Sequence, residues 1–319
     1  MTIEYKPILS EHVDAYFDLM NDESLAVNAG SVPYPITREW TAERIATRMA
    51  GEQEGAMADR ALFENGALIA SSGYFFRDGE LEIGYSVHRN YRGRGLATMA
   101  AKLAVKLARD HRKTGPIAAN YFQDNPASGR VLEKVGFEFI GEGIGQSMAR
   151  PGDIPGFETK LTGDVMLSPL HESDYALLFV FQDDEEAQFQ AAGGRAHADE
   201  KAFREFLNKA QQNGAEFRAI LLEGAPVGYI ASFGRLEKRE ISYWIGREFW
   251  GKGFASKALE LWLEECSAPE AGLFARVVKD HPASARVLEK NNFKPVGEDR
   301  YFSDIRGADV EEIIYRFGG

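Results

Sequence analysis

Two short glycine-rich stretches hold residue types and spacings that could do chemistry. They are Tyr91-Arg92-Gly93-Arg94-Gly95-Leu96-Ala97 and Phe249-Trp250-Gly251-Lys252-Gly253-Phe254-Ala255. Each follows an apolar run of strand character, Leu81 to Val87 or Glu240 to Ile245. Each opens a run of helical spacing, as at Leu96, Met99, Ala100, Leu103 and Leu107. A turn between a strand and a helix start can aim several backbone N–H groups at one point, backed by the positive end of the helix dipole. Glycine lets a ligand come close, because no Cβ intervenes. The natural guest is a phosphate or diphosphate. The segment His88 to Arg94 adds to this, since it carries Arg89, Arg92 and Arg94 and no acid in a chain of net charge −12.

The elements around these turns are themselves repeated. Gly251 follows Gly93 by 158 residues, and Ser284 follows Ser128 by 156 within the matched runs Asn125-Pro126-Ala127-Ser128-Gly129-Arg130-Val131-Leu132-Glu133-Lys134 and His281-Pro282-Ala283-Ser284-Ala285-Arg286-Val287-Leu288-Glu289-Lys290. Leu9 to Asp14 resembles Leu170 to Tyr175, at an offset of 161. The drift fits loop insertions in a duplicated domain, not a short-period solenoid. The break is expected near Thr162-Gly163, giving domains 1–162 and 163–319, with Arg150 to Gly156 reading as a loop before it.

Each copy reads as an opening strand (Ile3 to Leu9; Val165 to Leu170), a helix, a loop and a second helix (Arg38 to Glu52; Asp199 to Gln211). Three strands follow: Ala61 to Phe63, Ala67 to Phe76 and Glu80 to Val87, mirrored by Arg218 to Leu222, Pro226 to Phe233 and Arg239 to Ile245. Asn65-Gly66 signals a hairpin. After the glycine turn come a long helix, a strand (Ile117 to Phe122; Leu273 to Val278), a late helix and closing strands. The late helix has readable ends: Asn125 as N-cap, Pro126 in the first turn, and Gly136 after the helix, where the second copy has Asn292. Arg109, His111, Arg112 and Lys113 suit the negative end of the long helix.

Composition limits the function classes. The length of 319 residues allows about two ordinary domains. An acidic chain is a poor general binder of nucleic acid. No apolar run nears the ~18 residues that suggest a membrane span. The first residues lack a signal-peptide layout, and the single cysteine, Cys266, rules out an internal disulfide framework. Together these lead us to expect a cytoplasmic protein. Cys266 lies on the stripe Phe254, Ala258, Trp262 and reads as a core residue, not a nucleophile. The six histidines show no metal-ligand spacing, so no metal is expected. Tyr34, Trp40, Tyr74 and Phe76 either line an acceptor pocket or belong to the core.

These residues resemble the GNAT superfamily of N-acetyltransferases, in tandem duplication. The likeness is closest to the branch that acetylates ribosomal-protein N-termini. The family's turn reads Gln/Arg-x-x-Gly-x-Gly/Ala. Here the copies read Asn90-Tyr91-Arg92-Gly93-Arg94-Gly95 and Glu248-Phe249-Trp250-Gly251-Lys252-Gly253, departing from Gln/Arg at the first position. The Ser-x-Arg-Val-Leu-Glu-Lys element, followed by Gly136-Phe137 or Asn292-Phe293, is similar to the family's late helix. The resemblance covers nearly the whole chain. It implies two α/β domains of α+β type, each a mixed, mostly antiparallel twisted sheet flanked by helices, with splayed parallel central strands.

The resemblance also implies acetyl-CoA as cosubstrate, held in the first copy by Arg89, Arg92, Gly93, Arg94, Gly95, Leu96 and Ala97, with Asn125 near the thioester. In the second copy the holders are Trp250, Gly251, Lys252, Gly253, Phe254 and Ala255. Direct transfer to an amine needs a base, an N–H donor for the oxyanion and an acid near the thiolate. The family often places a carboxylate on the strand before the turn. Glu82 and Glu240 hold that place here, each a base or an ordinary strand glutamate, with Glu80 a rival on the same face. The implied oxyanion donors are backbone N–H groups near Val87 and Ile245. Ser128 and Ser284 sit where the family keeps a residue near the sulfur, or are plain helix-start serines. Many relatives carry a tyrosine acid further along this helix, where this chain has Leu132 and Leu288.

The acceptor is expected to be a primary amine, on a peptide or protein N-terminus or a small molecule, with neither nucleic acid nor membrane as partner. A monomer or homodimer is expected, and the tandem domains could form a pseudo-dimer. Two other readings remain. A non-catalytic acetyl-CoA sensor with degenerate sites is one. A dinucleotide-binding enzyme is weaker, because the third glycine of that fingerprint falls on Thr98 and Ser256. The N-terminal site is expected to be the better one: Trp250 supplies no charge where Arg92 does, Glu248 stands where Asn90 is neutral, and His281 replaces the cap Asn125.

Overall fold

A computed structural model describes residues 3–193, 197–235, 238–265 and 272–318. Cys266 lies outside the described residues. The chain divides into two compact units, Met1–Gly163 and Asp164–Gly319. The first runs β1 (Ile3–Pro7), α1 (Val13–Met20), α2 (Glu23–Ala26), α3 (Arg38–Gln53), β2 (Met57–Glu64), β3 (Ala67–Arg77), β4 (Glu80–Val87), α4 (Leu96–Asp110), β5 (Ile117–Phe122), α5 (Pro126–Val135), β6 (Glu138–Ser147) and β7 (Arg150–Leu161). The second repeats this order as β8 (Val165–Pro169), α6 (Tyr175–Gln182), α7 (Glu185–Ala191), α8 (Glu200–Gln212), β9 (Glu216–Leu222), β10 (Ala225–Arg235), β11 (Lys238–Ile245), α9 (Phe254–Glu265), β12 (Leu273–Val278), α10 (Pro282–Lys290), β13 (Phe293–Ser303) and β14 (Ala308–Phe317).

Each unit is built on one seven-stranded sheet. The orders are β1-β2-β3-β4-β5-β7-β6 and, in the same sense, β8-β9-β10-β11-β12-β14-β13. All pairings are antiparallel except β4 with β5 and β11 with β12. The early strands are joined by hairpins, which removes the dinucleotide-fold alternative. Asn65 and Gly66, with φ of 51° and 82°, form the expected tight turn.

The parallel pairs are barely paired. β4 meets β5 in register only at Glu82 and Ala118, and β11 meets β12 only at Arg239–Leu273 and Glu240–Phe274. By contrast β3 registers with the whole of β4, from Arg77–Glu80 to Ala70–Val87. The central strands therefore part toward their C-terminal ends, where the glycine turns begin. Helix α4 holds this arrangement from one face. It packs on β3 and β4 with Leu96, Ala100 and Ala104 buried, and the two alanines let helix and sheet come close.

The structure corrects several local expectations. Arg150 to Gly156 is the first half of β7, not a loop. Pro151 and Pro155 can stand there because β5 covers β7 only from Gly156 onward, so one edge of this stretch needs no N–H. Strand β2 starts at Met57, four residues before the expected Ala61, because its charges are hidden in ion pairs: Asp59 with Arg48 at 3.4 Å and Arg60 with Glu52 at 2.6 Å. Arg109 stands in the last turn of α4, as expected. It is fully buried and donates to the Lys113 carbonyl at 2.7 Å. Among the described residues no helix is long and apolar enough to cross a membrane.

Candidate functional site

The glycine turn of the first unit has the conformation its sequence requires. Gly93 and Gly95 are left-handed, at φ 79° and 77°, and a Cβ on either would meet no atom within 4 Å. Empty space therefore lies in front of the turn. The first N–H groups of α4, from Leu96 on, have no helical partner, as at any helix start. Each arginine of the turn has a carboxylate partner. Arg89 is paired with Asp18, Arg92 with Asp22 at 2.5 Å and Arg94 with Glu64 at 2.6 Å. Their carboxylates come from α1, the start of α2 and β2, so they tie the turn to the rest of the unit.

The turn opens onto a cleft of about 770 Å³ that runs along the splay between β4 and β5. Gly93, Gly95, Leu96, Ala97, Val87, Ser128, Asn125 and Glu82 all line it. The His88 N–H bonds the Ile69 carbonyl on β3 at 3.0 Å. Peptide groups alternate along a strand, so those of Val87 face the other way, into the gap. There Arg92 Nε donates to the Val87 carbonyl at 3.2 Å.

Glu82 is 5% exposed and stands 3.5 Å from Arg77. Burial raises its carboxyl pKa, with Arg77 opposing and Glu80 and Asp78 adding to the rise. Glu80 is exposed and paired with Lys160 at 2.7 Å, away from the cleft lining. Ser128, in the first turn of α5, has its N–H capped by the Asn125 side chain at 3.3 Å. Its hydroxyl meets the Tyr85 hydroxyl at 2.7 Å. Burial raises the Tyr85 pKa, so the phenol keeps its proton at neutral pH. Tyr85 was missed in the sequence. The signal was there, since Tyr85 and Tyr243 share the 158-residue offset of Glu82 and Glu240.

The second unit repeats the outline with other contents. Gly251 and Gly253 are left-handed, at φ 75° and 85°. Trp250 Nε1 donates to the Ile245 carbonyl at 2.8 Å, replacing the Arg92 contact, and Arg247 pairs with Asp184 at 2.9 Å. Lys252 lies over the Phe249 ring at 5.6 Å. Tyr243 meets Ser284 at 2.8 Å, and burial pushes its pKa up to about 12. The His281 side chain makes no cap hydrogen bond. The larger change is at the splay. Glu240 is buried and bonded to Arg276 at 3.0 Å, and Arg276 also binds Asp299 at 2.8 Å and Glu312. By strand register these three stand where the first unit has Asn120, Gly143 and Gly156. Tyr301, bonded to the Ala192 carbonyl at 3.0 Å, stands at the place of Gly145. All four first-unit residues line the open cleft.

Other expected lining residues divide. Tyr74 is core, its hydroxyl 2.8 Å from His111 Nδ1. Tyr34 is exposed. Trp40 and Phe76 line a second hollow of about 460 Å³. Among the described residues no cluster of three His, Cys, Asp or Glu side chains could hold a metal.

The family model of the acetyltransferase (GNAT) domain matches residues 3–138 and again residues 164–294. The chain belongs to this acetyltransferase family and carries its domain twice. Among solved structures it is similar to the ribosomal L7/L12 alpha-N-protein acetyltransferase RimL in complex with coenzyme A, at 16% identity over 50% of this chain and 93% of that one, with a TM-score of 0.44. It is also similar to the ribosomal-protein-S5-alanine acetyltransferase of Vibrio fischeri (18%, 50% and 93%, TM-score 0.43). A third is yncA of Salmonella typhimurium with its cofactor acetyl-CoA (18%, 50% and 94%, TM-score 0.42).

Proposed function

We propose that the protein is an acetyl-CoA-dependent N-acetyltransferase, and that its N-terminal unit carries the transfer to a primary amine. One observation supports this most. A single cleft joins the helix-start N–H groups of the glycine turn, the gap-facing peptide of Val87, the buried Glu82 and the Tyr85–Ser128 pair. The turn would hold the CoA diphosphate on N–H groups from Arg92 to Ala97. Glu82, directly or through one water, takes the proton of the attacking amine. As the C–N bond forms, the Val87 N–H donates to the carbonyl oxygen that becomes anionic. The C–S bond then breaks, and Tyr85 gives its proton to the departing thiolate and is reprotonated from Ser128 and solvent.

The C-terminal unit favours a second reading. Its base candidate Glu240 is held by Arg276, which also binds Asp299 and Glu312. It is read as a unit without turnover, serving to bind or to stabilise. The test of the CoA assignment is Gly95→Val. Calorimetry should show acetyl-CoA binding lost in the first unit, with circular dichroism unchanged. Unaltered affinity would reject the assignment.

A further inference from the structure

The 770 Å³ cleft and the 460 Å³ hollow share part of their walls, and the shared residues are Ser31, Arg44, Arg48, Phe75 and Arg77. Three of the five are arginines. Their polar contacts are all 3.3 Å or longer. Arg77 stands 3.5 Å from Glu82, Arg48 stands 3.4 Å from Asp59, and Arg44 reaches Ser31 at 3.3 and 3.4 Å. Arg44 Nε is buried with no hydrogen-bond partner, and a buried donor left unpaired is costly unless a ligand meets it. The arginines of the glycine turn, by contrast, sit in close carboxylate pairs. Arg48 and Arg77 both stack on the Phe75 ring, at 5.6 and 5.5 Å, which fixes their guanidinium groups. Burial raises the Asp59 pKa, with Arg48 and Arg44 opposing. Beyond the junction, the hollow is walled by Trp40, Phe76 and Met57, with Glu43 and Thr47 beside them. On the cleft side, Glu82 and Glu158 can accept hydrogen bonds from an ammonium group.

We propose that the acceptor is a small primary amine that also carries a carboxylate, bound by Arg44, Arg48 and Arg77 where the two cavities meet, with its apolar side group between Trp40 and Phe76. The inference rests on the N-terminal unit being the acetyltransferase site. It departs from the basic peptide that an overall net charge of −12 would suggest, because three guanidinium groups stand where the two cavities meet. A guanidinium fork matches a carboxylate with two parallel hydrogen bonds.

The experiment uses the intact chain and matched probes that differ only in the carboxylate: phenylalanine against 2-phenylethylamine, and tryptophan against tryptamine. Peptides starting Ser-Asp-Glu and Ser-Lys-Lys form a third arm. CoA-thiol release gives kcat/KM, and calorimetry in the presence of CoA gives binding of each probe. The free amino acids should exceed their decarboxylated partners by about tenfold to a hundredfold. That ratio should collapse toward one in Arg77→Gln and in Arg44→Gln. Arg77 is half exposed, so its variant should fold even if Arg44→Gln does not. Turnover that favours the decarboxylated amines or either peptide overturns the proposal and leaves the acetyltransferase reading standing. Arg77-dependent binding of the amino acids without turnover supports the carboxylate site and overturns that reading instead. Equal binding of matched probes overturns the proposal.

Discussion

The two units share sheet order, glycine turn, late helix and a tyrosine–serine pair, yet they differ at the place where the central strands part. In the first unit, Asn120, Gly143, Gly145 and Gly156 leave the splay open as a cleft. In the second, Arg276, Asp299, Tyr301 and Glu312 stand at the matching register positions, and Arg276 binds the buried Glu240 as well as Asp299 and Glu312. The backbone scaffold is thus the same, while a few strand positions differ between glycine or asparagine and larger, mostly charged side chains. Glycine on a closing strand leaves room that any side chain would take. A buried carboxylate beside a loose arginine keeps a raised pKa. One bonded to a guanidinium at 3.0 Å has its lone pairs committed.

The largest effect should come from moving the second unit's filling into the first. Asn120→Arg with Gly143→Asp and Gly156→Glu should lower amine turnover by more than about 10²-fold, since the substrates can no longer meet in register. A Cβ at Gly156 would stand 3.1 Å from the Tyr121 carbonyl oxygen, so circular dichroism must accompany the assay. Turnover near the unaltered level would show that the open splay is not the site. Next comes stability. Arg276→Ala leaves Glu240 and Glu312 buried without their shared cation and should cost the second unit about 3 kcal/mol in denaturant unfolding. Asn120→Ala in the first unit should stay within about 0.5 kcal/mol. Equal costs would remove the basis for calling the Arg276 network structural. The smallest effect should be Tyr85→Phe. A thiolate leaves readily, its conjugate acid having a pKa near ~8.5, so losing the proton donor should slow turnover by only about tenfold. Tyr243→Phe should leave turnover alone. A larger loss from Tyr243→Phe would reverse the assignment of roles.

Much of this was legible in the sequence wherever the cause is local. The glycine turns, the Asn65-Gly66 hairpin, the Asn125 cap and the Gly136/Asn292 pair of helix ends all rest on a residue's own backbone preference. Gly136 and Asn292 are indeed left-handed, at φ 106° and 63°. What escaped depends on partners far along the chain. Tyr85 reaches Ser128 across 43 residues, from strand to helix. Arg276 gains its meaning only from Glu240, Asp299 and Glu312 on three other strands. Prolines hid the start of β7, because only the structure shows which edge of a strand needs no N–H. Charges hid the start of β2, because their ion pairs lie in another element. The three arginines of the glycine turn look like phosphate ligands in one dimension, and only in three do their carboxylates appear.

The central claim is that the N-terminal unit carries the transfer. Its most direct test is the pH–rate profile of Glu82→Gln beside that of Glu240→Gln, each in the intact chain. Burial raises the Glu82 pKa, so its base form is lost as pH falls through that raised value. The unaltered protein should therefore show an acid limb in kcat/KM above the ordinary carboxylate range. Glu82→Gln should remove that limb and cut turnover by about 10²- to 10⁴-fold, while Glu240→Gln keeps both rate and limb. If Glu240→Gln removes the limb and most of the activity, and Glu82→Gln removes little, the working site is in the other unit.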